Sequence, residues 1–302
     1  MNVNEFFDAR YKKFHKRVGG KSCAACGGVL NGRLIIETII ESGKKVIISG
    51  LTGSGNLGTP CVDVRMTRDV PRFGMNFSSG PDVASGIVLA LEALDKSDII
   101  VWGVGGDGTI GDIAFAKTSS AAERNTNMIQ LCVDNEAYMN TGIQKSGSTP
   151  IGAWTTTTPW GKTTPKKYLP IIMVDHHIPY VATLSPAYPE DLKKKVNKAL
   201  DLQGYRYLHT LMPCPTGWRF PNEKVLEIAR LGVQTWHWPL YEVENGVLKL
   251  TQKPKPKPVK DYIKAQDRFR NLTEDDIRMI QEEKDRFRER LLENDGKNIW
   301  WA

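Results

Sequence analysis

Residues 101–161 read VWGVGGDGTIGDIAFAKTSSAAERNTNMIQLCVDNEAYMNTGIQKSGSTPIGAWTTTTPWG, and the fold is decided there. At the centre, Gly106-Asp107-Gly108 is followed by 26 residues and then Asn135. The apolar run 99–102 leads into the glycines as a buried parallel strand does. Gly105, Gly106 and Gly108 let the chain turn sharply and a ligand come close. Residues 109–124 have helical composition, and 128–133 read as the next strand. Asp107 then belongs at the carboxyl end of one strand, with Asn135 just past the end of its neighbour. In an open parallel α/β sheet, ligands bind at that rim.

The residue types set the chemistry. A carboxylate and an amide oxygen are hard ligands, and two such ligands plus substrate phosphates is the usual way to hold Mg²⁺. A glycine-lined helix start offers free N–H groups and a positive dipole end to a diphosphate. The pattern points to a magnesium–diphosphate site. The competing reading, a plain strand-to-helix turn with an incidental Asp, leaves the spaced Asn135 and the polar run 138–144 unexplained.

This arrangement of GDG, 26 residues and Asn resembles the thiamine-diphosphate signature. The run DNEAYMNTGIQ, with the S, TP, GAWTTTTP and GK that follow, is similar to the thiamine-diphosphate-binding beta subunit of the 2-oxoacid:ferredoxin oxidoreductases, the pyruvate synthase group. The resemblance extends from about Gly20 to Phe269 and is most specific at 105–162 and 208–246. It implies an α/β, parallel-sheet thiamine-diphosphate-binding fold with a C-terminal helical tail. Asp107, the Asn135 side chain and the Ala137 carbonyl would be magnesium ligands. Gly106, Gly108, Thr109 and Thr141 would line the cofactor. Asn140 would stand over the reactive thiazolium carbon and orient the substrate. Glu136 is expected to be structural rather than a general base.

Five cysteines without a secretory signal argue against a disulfide framework and for metal ligation or buried thiols. Cys23 and Cys26 form a C-x-x-C in a small-residue loop. That spacing suits one metal ion or two corners of an iron–sulfur cluster, and equally a zinc knuckle or a redox dithiol. Cys132 lies inside an apolar strand and is expected in the core. The resemblance implies Cys23, Cys26 and Cys214, the last within PCPTGW, as ligands of a [4Fe-4S] cluster. Where the family carries Thr-Gly-Cys, this chain has Thr52-Gly53-Ser54. Serine is a harder, poorer ligand, and Cys61 is the nearest thiol to complete the set.

Elsewhere the patterning predicts helices over 30–40, 81–94 (with Asp82 as cap), 189–202 and 222–235. Strands are predicted over 45–49, 171–174, 180–184 and 205–212, and near 242. Asp175-His176-His177 reads as a surface turn. KPKPKPVK at 253–260 is an extended linker. Thr273 caps a charged helix running to 293, whose stripe of Ile277, Ile280, Phe287 and Leu291 packs on another chain or on the parent domain. Residues 1–250 are assigned to the thiamine-diphosphate domain with its iron–sulfur loops, and 251–302 to a linker and helical extension for subunit contacts.

The net charge of +7 suits a solvated surface or an acidic partner, and nucleic acid is not expected, since acids interleave the basic tail. No run approaches the ~20 apolar residues of a membrane span; a cytoplasmic chain is expected. The resemblance implies oxidative decarboxylation of a 2-oxo acid. Pyruvate is the default, with oxalate, phenylglyoxylate and 2-oxoglutarate open. Electrons would pass through the cluster to a ferredoxin-like gamma or delta subunit or domain and then to ferredoxin, with coenzyme A as acyl acceptor. No residue here matches the glutamate that activates the aminopyrimidine, so an alpha subunit would complete the site. The other classes to discriminate are a non-redox thiamine-diphosphate decarboxylase subunit and a non-enzymatic zinc- or nucleic-acid-binding subunit.

Overall fold

The computed structural model describes residues 22–50 and 71–300. In chain order the main elements are α1 (Gly27–Ser42), β1 (Val46–Gly50), β2 (Arg72–Phe73), α2 (Gly80–Ala93), β3 (Ile100–Gly106), α3 (Phe115–Glu123), β4 (Met128–Asp134), α4 (Leu169–Val174), β5 (Tyr180–Leu184), α5 (Pro189–Asp201), β6 (Arg206–Leu211), α6 (Pro215–Trp218), α7 (Val225–Gln234), β7 (Tyr241–Glu244), β8 (Val247–Leu250), α8 (Val259–Lys264) and α9 (Glu274–Glu293). Among the described residues the strands form one eight-stranded sheet in the order β2-β1-β3-β4-β6-β5-β7-β8. Strands β1 to β6 run parallel, and β7 and β8 add an antiparallel edge.

Burial on both faces explains why the central strands carry near-continuous apolar runs. Ile35, Ile36 and Ile39 of α1 and Leu192 and Val196 of α5 cover one face, against Ile48, Trp102, Ile129 and Leu131. Ala84 and Val88 of α2, Ala121 of α3 and Met173 of α4 cover the other, against Val101, Met128 and Cys132. A third cluster gathers around Trp218, Ile228, Tyr262, Ile277 and Ile280. Asn31 donates to the Leu211 carbonyl (2.8 Å) and accepts from Thr210 Oγ1 (2.8 Å), which fixes α1 against β6.

The register puts three strand ends in a row: Gly106 pairs with Val133, and Asp134 with Leu211. The segments that follow carry Asp107, Asn135 and Cys214, which therefore share one rim of the sheet.

Four sequence expectations need correction. Residues 171–174 are helical, as part of α4, which begins beside Pro170; a short apolar run does not distinguish strand from buried helix. Residues 109–124 are not one helix, because a π-turn, Thr109–Ile113, precedes α3. Asp82 is not the cap of α2. Ser79 holds that position without a side-chain cap bond, and Asp82 pairs with Lys117 at 2.9 Å instead. The extended linker ends at Pro258, since Val259 is fully buried and opens α8. Thr273 does cap α9, in a reciprocal capping box with Asp276. Its stripe packs on the parent domain: Ile277 and Ile280 join the third cluster, and Phe287 and Leu291 the second. Asp175-His176-His177 is a turn, with the His177 ring stacked on Trp300.

Candidate active site

Asp107 is 2% exposed, and its Oδ2 accepts from Ser146 Oγ at 2.5 Å. Burial, and then the neighbouring Asp134 charge, push its carboxyl well above the usual range. This carboxylate has no cation from the protein touching it among the described residues. Asn135, also 2% exposed, directs its side-chain oxygen at two further oxygens, the Ala137 carbonyl (2.6 Å) and Asp107 Oδ1 (3.2 Å). Two arrangements relieve three mutually facing oxygens. Either the amide turns, so that its N–H₂ donates to both, or a cation sits among them. A carboxylate, an amide oxygen and a main-chain carbonyl are a hard-cation donor set.

Beside these oxygens, Thr109 Oγ1 is buried without a hydrogen-bond partner. It stands at the first residue of the π-turn, just after Gly108, where backbone N–H groups lack internal acceptors. An orphaned hydroxyl and a free helix start suit an anion. The π-turn is closed by Ala114 N donating to the Thr109 carbonyl at 2.9 Å, and such turns recur at functional sites. It places Asp112 where its carboxylate accepts from Gly147 N (2.8 Å) and Tyr138 OH (3.3 Å). The Tyr138 ring lies over Gly108, so tightly that any side chain there would collide with it.

Side chains alternate at the end of β4, and Asp134 and Glu136 face a different environment. Asp134 Oδ1 accepts from Glu136 N (2.8 Å); its Oδ2 accepts from Ser148 Oγ (2.5 Å) and faces His209 Nε2 (2.8 Å) and Lys166 Nζ (3.2 Å). Glu136 is held by Lys166 Nζ (2.7 Å) and Arg268 Nη2 (2.7 Å), with His237 Nε2 at 3.4 Å. Burial alone would raise both carboxyls. The Lys166 ammonium outweighs it, helped at Asp134 by His209 and at Glu136 by Arg268, so that Asp134 falls below the usual range and Glu136 well below it. Glu136 is therefore a paired buried carboxylate, held ionised and so a weak proton acceptor.

Of the predicted residues, the fold brings together Asp107, Asn135, Ala137, Gly106, Gly108 and Thr109. Asn140 and Thr141 lie at the exposed tip of a hairpin bridged between Tyr138 and Gln144. The Thr141 hydroxyl is engaged by Gln144 Oε1 at 2.6 Å. Thr155 and Thr158 bond to each other through their hydroxyls at 2.7 Å, within a turn.

The thiols occupy the next segments of the same rim. Cys26 is the N-cap position of α1 and Cys214 that of α6, and Gly27 N donates to the Pro213 carbonyl at 3.2 Å, which ties the two loops together. Burial pushes the Cys214 thiol up to about 11, with Cys26 and Cys23 adding to the effect. Cys23 is exposed, and Cys132 is fully buried in β4. Among the described residues no three His, Cys, Asp or Glu side chains are gathered as a metal-binding set. Ser54 and Cys61 lie outside the described residues.

Sequence reasoning missed Ser146, Lys166, Arg268, His209 and Trp218. One signal was present: two acidic residues flanking Asn135 at a buried strand end demand cations, and the Lys-Lys pair at 166–167 offers them.

Comparison with known proteins identifies the family. The family profile described as "Thiamine pyrophosphate enzyme, C-terminal TPP binding domain" matches residues 72–210. Pyruvate synthase subunit PorB of Methanothermobacter marburgensis is 43% identical over 276 residues, 87% of this chain and 92% of that protein. The protein of the same name from Methanocaldococcus jannaschii is 43% identical over 282 residues, 87% and 91% of the two chains. Ketoisovalerate oxidoreductase subunit VorB of Pyrococcus abyssi is 40% identical over 276 residues, 87% and 88%. In fold, the chain is similar to a chain of the 2-oxoglutarate:ferredoxin oxidoreductase from Magnetococcus marinus, with a TM-score of 0.54 at 24% identity over 71% of this chain and 78% of that one.

Proposed function

The chain belongs to the beta-subunit family of the 2-oxoacid:ferredoxin oxidoreductases, thiamine-diphosphate-dependent enzymes of several subunits, and from that premise we propose how its own residues serve the reaction. Asp107, the Asn135 amide oxygen and the Ala137 carbonyl hold a magnesium ion. Thr109 and the N–H groups after Gly106 would hold the diphosphate. The observation that carries the reading is the buried Asp107 carboxylate, with no protein cation on it among the described residues, converging with the Asn135 amide and the Ala137 carbonyl beside an orphaned, buried hydroxyl. When bound, thiamine diphosphate supplies the nucleophile and the electron sink for decarboxylating a 2-oxo acid. Ser146 orients the Asp107 carboxylate. Lys166 and Arg268 neutralise Asp134 and Glu136, so the ion is the one positive charge left for Asp107. Asn140, exposed at the hairpin tip, orients the substrate where a partner chain closes over it.

Cys23, Cys26 and Cys214 bind a [4Fe-4S] cluster, with Cys61 as fourth ligand. The soft thiols on two tied loops and the 43% identity to pyruvate synthase subunits support this. Pyruvate is the proposed substrate, coenzyme A the acyl acceptor, and ferredoxin the final electron acceptor through a ferredoxin-like subunit. An alpha subunit completes the site, and the 88% exposed Trp160, on the segment after the threonine turn, supports a covering partner. We assign residues 1–250 to the cofactor domain and 251–302 to an extension whose apolar residues pack back onto it.

The test is viologen reduction by the assembled complex with pyruvate, ketoisovalerate, 2-oxoglutarate, oxalate and phenylglyoxylate, with and without coenzyme A. Turnover that needs both magnesium and thiamine diphosphate, in a protein containing iron and acid-labile sulfide, is expected. A colourless zinc protein, or cofactor binding indifferent to magnesium, contradicts the proposal.

A further inference from the structure

Asn135 contributes its side chain to the oxygen cluster, and something must hold its backbone still. The next residue, Glu136, has φ +64°, a left-handed conformation uncommon for a non-glycine residue that persists only where its surroundings impose it. The hold comes from outside the loop. Trp218, fully buried, donates its indole N–H to the Asn135 carbonyl at 2.7 Å. Arg268 lies over the Trp218 ring, 3.9 Å from its centroid, and binds Glu136 at 2.7 Å through the same guanidinium. Two consecutive residues of the loop are thus gripped by a stacked Trp–Arg pair.

Trp218 also ends α6, the helix that starts at Cys214. Trp218 N donates to the Cys214 carbonyl (2.8 Å), and Gly217 N reaches Cys214 Sγ (3.4 Å). Met139, from the Asn135 loop, packs directly on Gly217, so a side chain there would have to displace the Met139 thioether. One rigid turn therefore joins the cysteine loop to the loop carrying the magnesium ligands.

We propose that Trp218 is a positioning residue for Asn135: its indole N–H fixes the Asn135 peptide plane, and with it the Asn135 amide and the Ala137 carbonyl, in the arrangement that binds magnesium and diphosphate. The proposal rests on the cofactor reading above. Removing the donor leaves a buried carbonyl unpaired and lets the peptide rotate, and magnesium–thiamine diphosphate then binds about tenfold more weakly.

The experiment uses the assembled complex and measures its affinity for thiamine diphosphate in saturating magnesium. The proteins are wild type, Trp218→Phe, and a chain carrying benzothienylalanine at 218, which keeps the indole shape but has sulfur in place of N–H. Tyr180→Phe is the control: it loses a buried hydrogen bond, a stronger one to the Glu242 carboxylate (2.7 Å), at the start of β5 and away from the rim. Both changes at 218 should raise the dissociation constant and the apparent KM for the cofactor about tenfold. kcat at saturating cofactor and iron content should stay near wild type. Tyr180→Phe should lower thermal stability but leave affinity unchanged. Wild-type affinity in the benzothienylalanine protein would overturn the proposal and leave Trp218 a core residue, whatever the folding of Trp218→Phe. Failure of the wild type itself to bind would remove the cofactor reading and this inference with it.

Discussion

Two groups of acidic and amide residues meet at the neighbouring ends of β3 and β4, and they are treated in opposite ways. Asp134 and Glu136 are saturated by protein donors: Lys166, Arg268, Ser148 and His209 leave neither carboxylate short of a partner. Asp107, the Asn135 amide and the Ala137 carbonyl converge with no protein cation among the described residues, and Ser146 Oγ donates to Asp107. A buried carboxylate matched by the protein's own cations is structure. A buried carboxylate left unmatched is a receptor for a charge from outside. The turn just past the end of β4, left-handed at Glu136, makes this division within one short sequence, DNEA.

If the contrast holds, Asp107→Asn abolishes magnesium-dependent cofactor binding and turnover, with affinity falling by more than ~100-fold, because even residues supporting a metal ligand cost 10–100-fold. The same change relieves an unpaired buried charge, so thermal stability without cofactor should hold or rise. Differential scanning calorimetry beside cofactor titration checks both halves.

Glu136→Gln should act in reverse. It strips the partner from Lys166 and Arg268 and costs about 3–5 kcal/mol of stability. Cofactor affinity should fall less than in Asp107→Asn, as measured on protein that remains folded. A stable Glu136→Gln protein with no affinity would erase the distinction between the two groups.

The saturated group also sets the acid limit. Burial, only partly countered by Glu136, depresses His237 to about 4. The unfolded chain binds the proton near pH 6.5 and the folded chain does not, so stability rises with pH across this window. The contribution is complete above about pH 6.5 and is lost as pH falls toward 4, roughly 3 kcal/mol in all. His209 shifts in the same direction. Melting temperature against pH should fall below 6.5 in the wild type and more gently in His237→Gln.

The smallest effect belongs to Ser146→Ala, which removes the hydroxyl that donates to Asp107. Affinity for magnesium and thiamine diphosphate should drop about 10-fold, with the melting profile nearly unchanged.

The strand–turn–helix–strand core and the pairing of Asp107 with Asn135 were legible because local signals carried them: apolar runs, glycines and a fixed spacing. The thiol loops stood apart in the sequence, and their tie through Gly27 and Pro213 is tertiary. Lys166 and Arg268 were invisible because they reach Glu136 from 30 and 132 residues away. The helix at 169–174 was misread because six apolar residues carry no usable period, and α8 because the prolines before it dominated the pattern. The role of Trp218 depended on a donor meeting a main-chain carbonyl, which no residue pattern announces.

The most direct test is a crystal structure of the assembled complex with thiamine diphosphate and Mn²⁺ in place of Mg²⁺, collected at the manganese edge. An anomalous peak bounded by Asp107 Oδ1, the Asn135 amide oxygen and the Ala137 carbonyl, with phosphate oxygens completing it, is the predicted result. A turned Asn135 whose N–H₂ donates to Ala137 and Asp107, with the ion elsewhere, would contradict the account.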